Sequence, residues 1–188
     1  MLTTPGTEWR IIAQEPADVG GLMREYAAPL AAIAALCQFI GLGLVGTALP
    51  FLGSIRVGVG RGLAAALVSW VMALVGVFLA AVVVDRLAPS FKSRSTLGQA
   101  LKLVVYSYTP LWVAGILYLV PAVAMLILLA ALYAVYLFYA GLPVLLKTPS
   151  DQVLPYMAVS ALVIVVVSLV LGACAAVLTG SATGFRMF

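Results

Sequence analysis

LVVYSYTPLWVAGILYLVPAVAMLILLAALYAVYLFYAGLPVLL, from Leu103 to Leu146, carries no charged residue, yet three prolines (Pro110, Pro121, Pro143) and six tyrosines (Tyr106, Tyr108, Tyr118, Tyr133, Tyr136, Tyr139) interrupt it. Drawn as one helix it would reach roughly 65 Å, about twice the ~30 Å hydrocarbon core of a bilayer. It therefore has to fold back as a transmembrane hairpin. The turn is expected at Val120-Pro121, because proline removes a donor from the helical ladder and pushes the residue before it out of the helical region.

The rest of the chain fits that setting. Hydrophobic residues make up 65% and charged residues 9%, whereas soluble domains hold about 45–50% and about 25%. An integral membrane protein follows. Five spans are expected, at about 28–52, 62–84, 101–119, 122–142 and 153–179, which makes residues 28–180 an all-α polytopic helical bundle with a tail at 181–188. The first apolar run begins near Ala28 and is span-length, so no secretory signal is read.

Residues 1–27 are mixed in polarity. Trp9, Ile11 and Ile12, then Leu22, Met23 and Tyr26, can form apolar faces of two short helices separated at Glu15-Pro16, with Asp18 as N-cap of the second. This short amphipathic segment either lies flat in the interface beside Arg10 and Arg24 or packs on the bundle as a lead-in.

Charge sets the orientation. The net charge is +4, and with the N-terminus inside, the inner segments carry Arg10, Arg24, Arg86, Lys92, Arg94, Lys102 and Lys147, the outer ones Arg56, Arg61 and Arg186. Seven against three places the N-terminus in the cytoplasm and, with five spans, the C-terminus outside. Bilayer topology explains these cations, and no nucleic-acid partner is needed. Cys37 and Cys174 fall inside apolar spans and are read as small hydrophobes.

Catalysis lacks parts. There is no histidine, the acids lie outside the span centres, no Ser or Cys has an evident base nearby, and no phosphate-binding glycine loop follows Gly60-Arg61-Gly62. The chain is read as non-enzymatic, with no cofactor and no metal.

Polar residues inside the spans remain to be explained. On the third span Lys102, Tyr106, Thr109 and Pro110 share one face, and an antiparallel hairpin brings them level with Tyr136, Tyr139, Gly141 and Pro143 of the fourth, with Tyr108 beside them. One reading is a tyrosine-lined cytoplasmic vestibule, in which the two prolines free backbone carbonyls; the other is an aromatic belt whose hydroxyls satisfy one another. Asp85-Arg86 ends the second span either as a solvated stop or with Asp85 paired to Lys102 or Lys147, tying the loops together. Asp151 can cap the fifth span. Gln38, in the first, is expected to hydrogen-bond between helices. Ser168, Gly172, Ala176 and Gly180 recur every four residues, a small-residue seam for packing within the bundle or against a second copy; Gly76 with Ala80 and Gly43 with Thr47 are shorter versions.

EWRIIAQEP at 8–16, YAAPLAAI at 26–33, DRLAP at 85–89, YSYTPLWVAGIL at 106–117 and LYAVYLFYAGLPVLLKTPSD at 132–151 come in this order over nearly the whole chain. In this it resembles the Ypt-interacting-protein (Yip) domain family of five-span membrane proteins, particularly its short bacterial members. The Tyr-Thr-Pro and Gly-Leu-Pro…Lys-Thr-Pro elements carry most of the likeness. The resemblance implies a five-span helical fold with a cytoplasmic N-terminus. Eukaryotic relatives are associated with Rab-type GTPases, vesicle traffic and membrane shape; this chain lacks the long cytosolic N-terminal region of many of them. Two functions are carried forward. The first is a bacterial inner-membrane organiser whose cytoplasmic surface, including Arg24, Arg86, Lys92, Arg94 and Lys147, meets anionic lipid or membrane-protein partners. The second is a solute or ion conduit with the tyrosine cluster as vestibule and Asp85 and Lys102 as gatekeepers.

Overall fold

A computed structural model describes residues 5–41, 47–49, 53–55 and 59–179. Helix α1 (Pro5–Gln14) is followed by a continuous helical path made of α2 (Val19–Gly21), a π-helical stretch (Leu22–Ala27) and α3 (Ala28–Phe39). The break at Glu15-Pro16 is where it was expected, and Asp18 caps α2, its side chain accepting from Gly20 N–H at 3.0 Å. The π-helical widening has a local cause. Pro29 has no N–H for the carbonyl of Glu25 and its ring crowds that carbonyl, so the turn opens and Ala28 N–H reaches Met23 O, five residues back.

Four helical segments among the described residues are long and apolar enough to cross a bilayer: Val59–Phe91, Leu97–Leu119, Ile127–Leu145 and Val153–Leu178. They contain α4 (Val59–Leu87), α5 (Leu97–Ala114), α6 (Ile127–Leu145) and α7 (Val153–Leu178), close to the second to fifth expected spans. The expected first span, 28–52, is not one helix. Its helical part begins earlier, at Val19, while Thr47–Leu49 (β1) pairs antiparallel with Gly53–Ile55 (β2), Thr47 opposite Ile55 and Leu49 opposite Gly53. Leu49 precedes Pro50, and a residue before proline is disfavoured in the helical region. Gly43, Arg56, Gly180 and the tail at 181–188 lie outside the described residues.

The hairpin turn falls where the prolines put it. Helix α5 tightens into a 3-10 stretch (Gly115–Leu119), Val120 is extended at φ −123° and ψ 90°, and a second 3-10 stretch (Pro121–Leu126) leads into α6. A Cβ on Gly141 would come within 2.4 Å of Leu103 Cδ1, so the start of α5 faces the end of α6.

Helix α5 is the hub: 61% of its most apolar stretch is buried, against 22% for α4 and α6 and none for α7. The core is concentrated towards one end. It gathers Val77, Ala81, Val84 and Ala88 of α4 and its extension, Leu101, Leu103, Val104 and Val105 of α5, Leu137, Leu142 and Leu145 of α6, and Val153 and Tyr156 of α7. Tyr156 donates to Val84 O and stacks on Phe91, with ring centroids 4.8 Å apart. Trp70 Nε1 donates to Ala28 O at 2.9 Å, fastening α4 to the start of α3. Beyond this core α7 exposes Leu162, Val165, Val166, Leu169 and Val170, as a helix facing lipid does.

Candidate functional site

The packed end of the bundle is covered by α1. Trp9 is 0% exposed and Ile12 4%. The Trp9 ring meets Tyr106 edge-on at 6.5 Å, and it occupies the space beside Gly141, where a Cβ would stand 2.9 Å from the indole carbons. Only a glycine on α6 lets the indole in this far. Of the two readings of the N-terminal segment, packing on the bundle is what the structure has.

Lys102, 4% exposed, finds its partners in the same place. Its ammonium donates to Ile12 O at 2.8 Å and Glu15 O at 2.6 Å. Ile12 O, which also accepts from Glu15 N–H at 3.3 Å, and Glu15 O stand at the C-terminal end of α1 and just beyond it, where carbonyls carry partial negative charge, so a lysine emerging from α5 beneath that end is well placed. Of the two readings of Asp85, the one that pairs it with Lys102 does not hold, because the Lys102 ammonium is taken up by Ile12 O and Glu15 O at the end of α1. Lys147 is exposed at a turn.

The tyrosines divide. Tyr106 packs on Tyr26 at 4.9 Å. Thr109 gives its proton to Val105 O (3.2 Å), which leaves its oxygen to accept from the Tyr26 hydroxyl at 3.1 Å. Tyr108 turns towards Trp112, at 6.2 Å. Tyr136 and Tyr139, by contrast, are 51% and 46% exposed on the outer side of α6, and Pro143 is exposed while Gly141 and Pro110 are buried. The expected single cluster is therefore two: Tyr26, Tyr106 and Thr109 inside, Tyr136 and Tyr139 outside. Three residues per step carry a side chain about 60° short of a full turn, so a tyrosine row spaced by three walks off the buried face.

The seam on α7 also behaves differently from expectation. A Cβ on Gly76 would stand 3.4 Å from Leu171 Cδ1, but Ser168 and Gly172 are exposed and line a hollow of about 300 Å³ with Gly76, Tyr108 and Trp112. Small residues here leave space rather than close it.

Two loops at the packed end form the remaining constellation. After the 3-10 stretch Ala88–Phe91, Lys92 is left-handed (φ 53°), with its N–H on Pro89 O and Ser93 N–H on Ala88 O, a Schellman ending. After α6, Lys147 is left-handed too (φ 51°). Each lysine precedes a buried hydroxyl, and the hydroxyls meet: Ser93 Oγ donates to Thr148 Oγ1 at 2.9 Å, and Thr148 passes its own proton to Leu142 O at 3.3 Å. Arg94 N–H donates to Leu146 O at 2.9 Å. Lys92, Arg94 and Lys147 stay exposed on this staple, with Arg86 exposed on the last turn of α4. Asp151 does not cap α7. Gln152 Nε2 donates to its Oδ2 at 2.9 Å, and that bond, a backbone bond and nearby Lys92 hold its carboxyl below the usual range.

The Yip1 domain matches residues 1–172. The chain belongs to the Yip1 domain family. Two relatives of this Yip1 domain protein are the inner membrane protein YohC of Escherichia coli K12 and that of Escherichia coli O6:H1, each 27% identical over 191 aligned positions that cover 100% of this chain and 97% of the relative. No solved structure matches the chain. This Yip1 domain protein is thus an integral membrane protein whose motif residues have visible jobs: Trp9 and Gly141 interlock, Tyr106 meets Trp9 of α1, Thr109 joins α5 to Tyr26, and Lys147-Thr148 closes the loop staple. The parts that sequence reasoning missed are Ser93 and Thr148, whose signal was the repeated Lys-Ser and Lys-Thr step after a helix end.

Proposed function

We propose that the chain is a non-enzymatic organiser of the bacterial inner membrane that engages anionic lipid, or a membrane-protein partner of like charge, through a basic cytoplasmic surface. The staple between the two loops carries this reading, since it holds Lys92, Arg94 and Lys147 from separate connections as one patch. Each cation near an anionic leaflet contributes about 1 kcal/mol. Arg86 and Arg24, both exposed, extend the surface. The continuous helical path from Val19 to Phe39, roughly 31 Å at 1.5 Å per residue, supplies a fifth crossing, with the N-terminus inside and the C-terminus outside as the cation count favours. Location in the inner membrane is supported by the name of the YohC relatives. Exposed Ser168 and Gly172 leave α7 open to a second copy.

The test is thermal unfolding of the purified chain in neutral micelles with added phosphatidylglycerol or phosphatidylcholine. Extra stabilisation by phosphatidylglycerol is expected, and K92E/R94E should abolish it; an unchanged difference would refute the reading. A conduit is the second reading, favoured by the interior Tyr26–Thr109 hydrogen bond and by buried Lys102. Solute flux into proteoliposomes that falls on Tyr106→Phe would select it.

A further inference from the structure

Beyond the packed end lies a cavity of about 230 Å³ between α5, α6 and α7, walled by Ser107 and Leu111, Ala134 and Phe138, and Ala161 and Ile164. Its lining is apolar apart from the hydroxyl-bearing side chains of Ser107 and Tyr108. Ser107 is 2% exposed, and its Oγ has no hydrogen-bond partner. A serine or threonine in an apolar helix ordinarily returns its proton to the carbonyl four residues back, as Thr109 does to Val105. Ser107 does not, and leaves a donor in the cavity wall.

Depth narrows what can use that donor. Ser107 is the eleventh residue of the 23-residue segment Leu97–Leu119, so it lies about 15 Å along the axis, half of the ~30 Å hydrocarbon core. Phospholipid esters sit at the edges of that core, and a phospholipid entering here would offer only alkyl chain. An occupant that pairs Ser107 must bring an acceptor to the middle of the bilayer. A carbonyl on a flat, otherwise apolar ring meets the requirement, and the rings of Tyr108 and Phe138 in the wall can stack on it. The volume falls below the roughly 300–1,000 Å³ of sites that enclose a whole drug-sized ligand, so it takes a head group whose tail leaves sideways. Helices α6 and α7 touch little compared with the pairs α5–α6 and α4–α7, and the tail leaves between them.

We propose that this cavity binds the head group of a lipophilic quinone, with Ser107 Oγ–H donating to a ring carbonyl. The inference is independent of the basic surface. Its test is titration of the full chain in phosphatidylcholine nanodiscs with decylubiquinone, read by quenching of tryptophan emission, to which Trp112 beside Tyr108 contributes. Saturable quenching is expected, with Ser107→Ala weakening the affinity about fivefold, the effect of one lost hydrogen bond. Ala161→Leu, which fills the cavity from α7, should remove saturation at an unchanged melting temperature, and decanol should not displace the probe. Unsaturable quenching in the unaltered chain, equal affinity in Ser107→Ala, or displacement by decanol overturns the proposal, the last by assigning the cavity to alkyl chains. Ser107→Ala decides the matter alone should Ala161→Leu not fold.

Discussion

Trp9→Ala should undock α1 while leaving the spans folded. A tryptophan buries about 150–250 Å², and Trp9 is fully covered, so at about 25 cal/mol per Å² its removal forfeits roughly 4–6 kcal/mol. Alanine keeps some contact, and the surroundings relax into part of the space, which brings the expected loss to about 3–5 kcal/mol. The contacts that remain at this end include Ile12, Ala13 and the two bonds from Lys102 to Ile12 O and Glu15 O. At about 1.4 kcal/mol per factor of ten, opening of α1 becomes more frequent by about two to three and a half orders of magnitude. Hydrogen exchange in nanodiscs should show this as faster exchange over residues 8–14, with α4 and α5 amides unaffected. If the amides of α1 exchange within tenfold of the unaltered chain, Trp9 is not what holds the helix, and the account of Gly141 as its seat falls with it.

Other expectations follow from single contacts. Gly115→Val should destabilise the bundle by at least about 1–3 kcal/mol, since even a Cβ there meets Ala34 Cβ at 2.6 Å and its backbone at 2.9 Å; SDS-induced unfolding measures it. Tyr156→Phe removes the hydroxyl that donates to Val84 O but keeps the stack on Phe91, so a loss of about 1 kcal/mol, or roughly 2–4 °C in melting temperature, is expected. Asp151 has a folded pKa below its unfolded value near 3.8. Its contribution is therefore complete above that pH and is lost as pH falls through the lower folded value; Gln152→Ala should raise the Asp151 titration midpoint, seen by carboxyl NMR.

How much of this was legible in sequence depends on the range of the force involved. The fold-back at Val120, the break at Glu15-Pro16 and the Asp18 cap are set by proline geometry and by a side chain reaching two residues along, and all three are where the residues put them. The later spans followed from hydropathy, which needs no knowledge of neighbours. The first span did not: its apolar composition continues through residues where Leu49, ahead of a proline in the sequence, has left the helical region, and helix instead extends backwards over the charged Arg24-Glu25 pair. Side-chain partners were the least legible. One of the two readings of Asp85 pairs it with Lys102, because a carboxylate is visible as a residue type, whereas the acceptors of Lys102 are backbone carbonyls at the end of α1 and just beyond it, which any sequence possesses. The outward turn of Tyr136 and Tyr139 was likewise hidden, because which face of α6 is buried is decided by the contact of Gly141 with Leu103 and Trp9.

The lopsided core has a mechanical consequence. With α4, α5, α6 and α7 locked at the end where Ser93 meets Thr148 and Tyr156 meets Val84, that end acts as a fulcrum. Displacement of α6 from α7 then grows with distance from it, as between the jaws of a pair of tongs. Any angular change at the pivot is felt most at the far end of the helices and least at the loops that carry Lys92, Arg94 and Lys147.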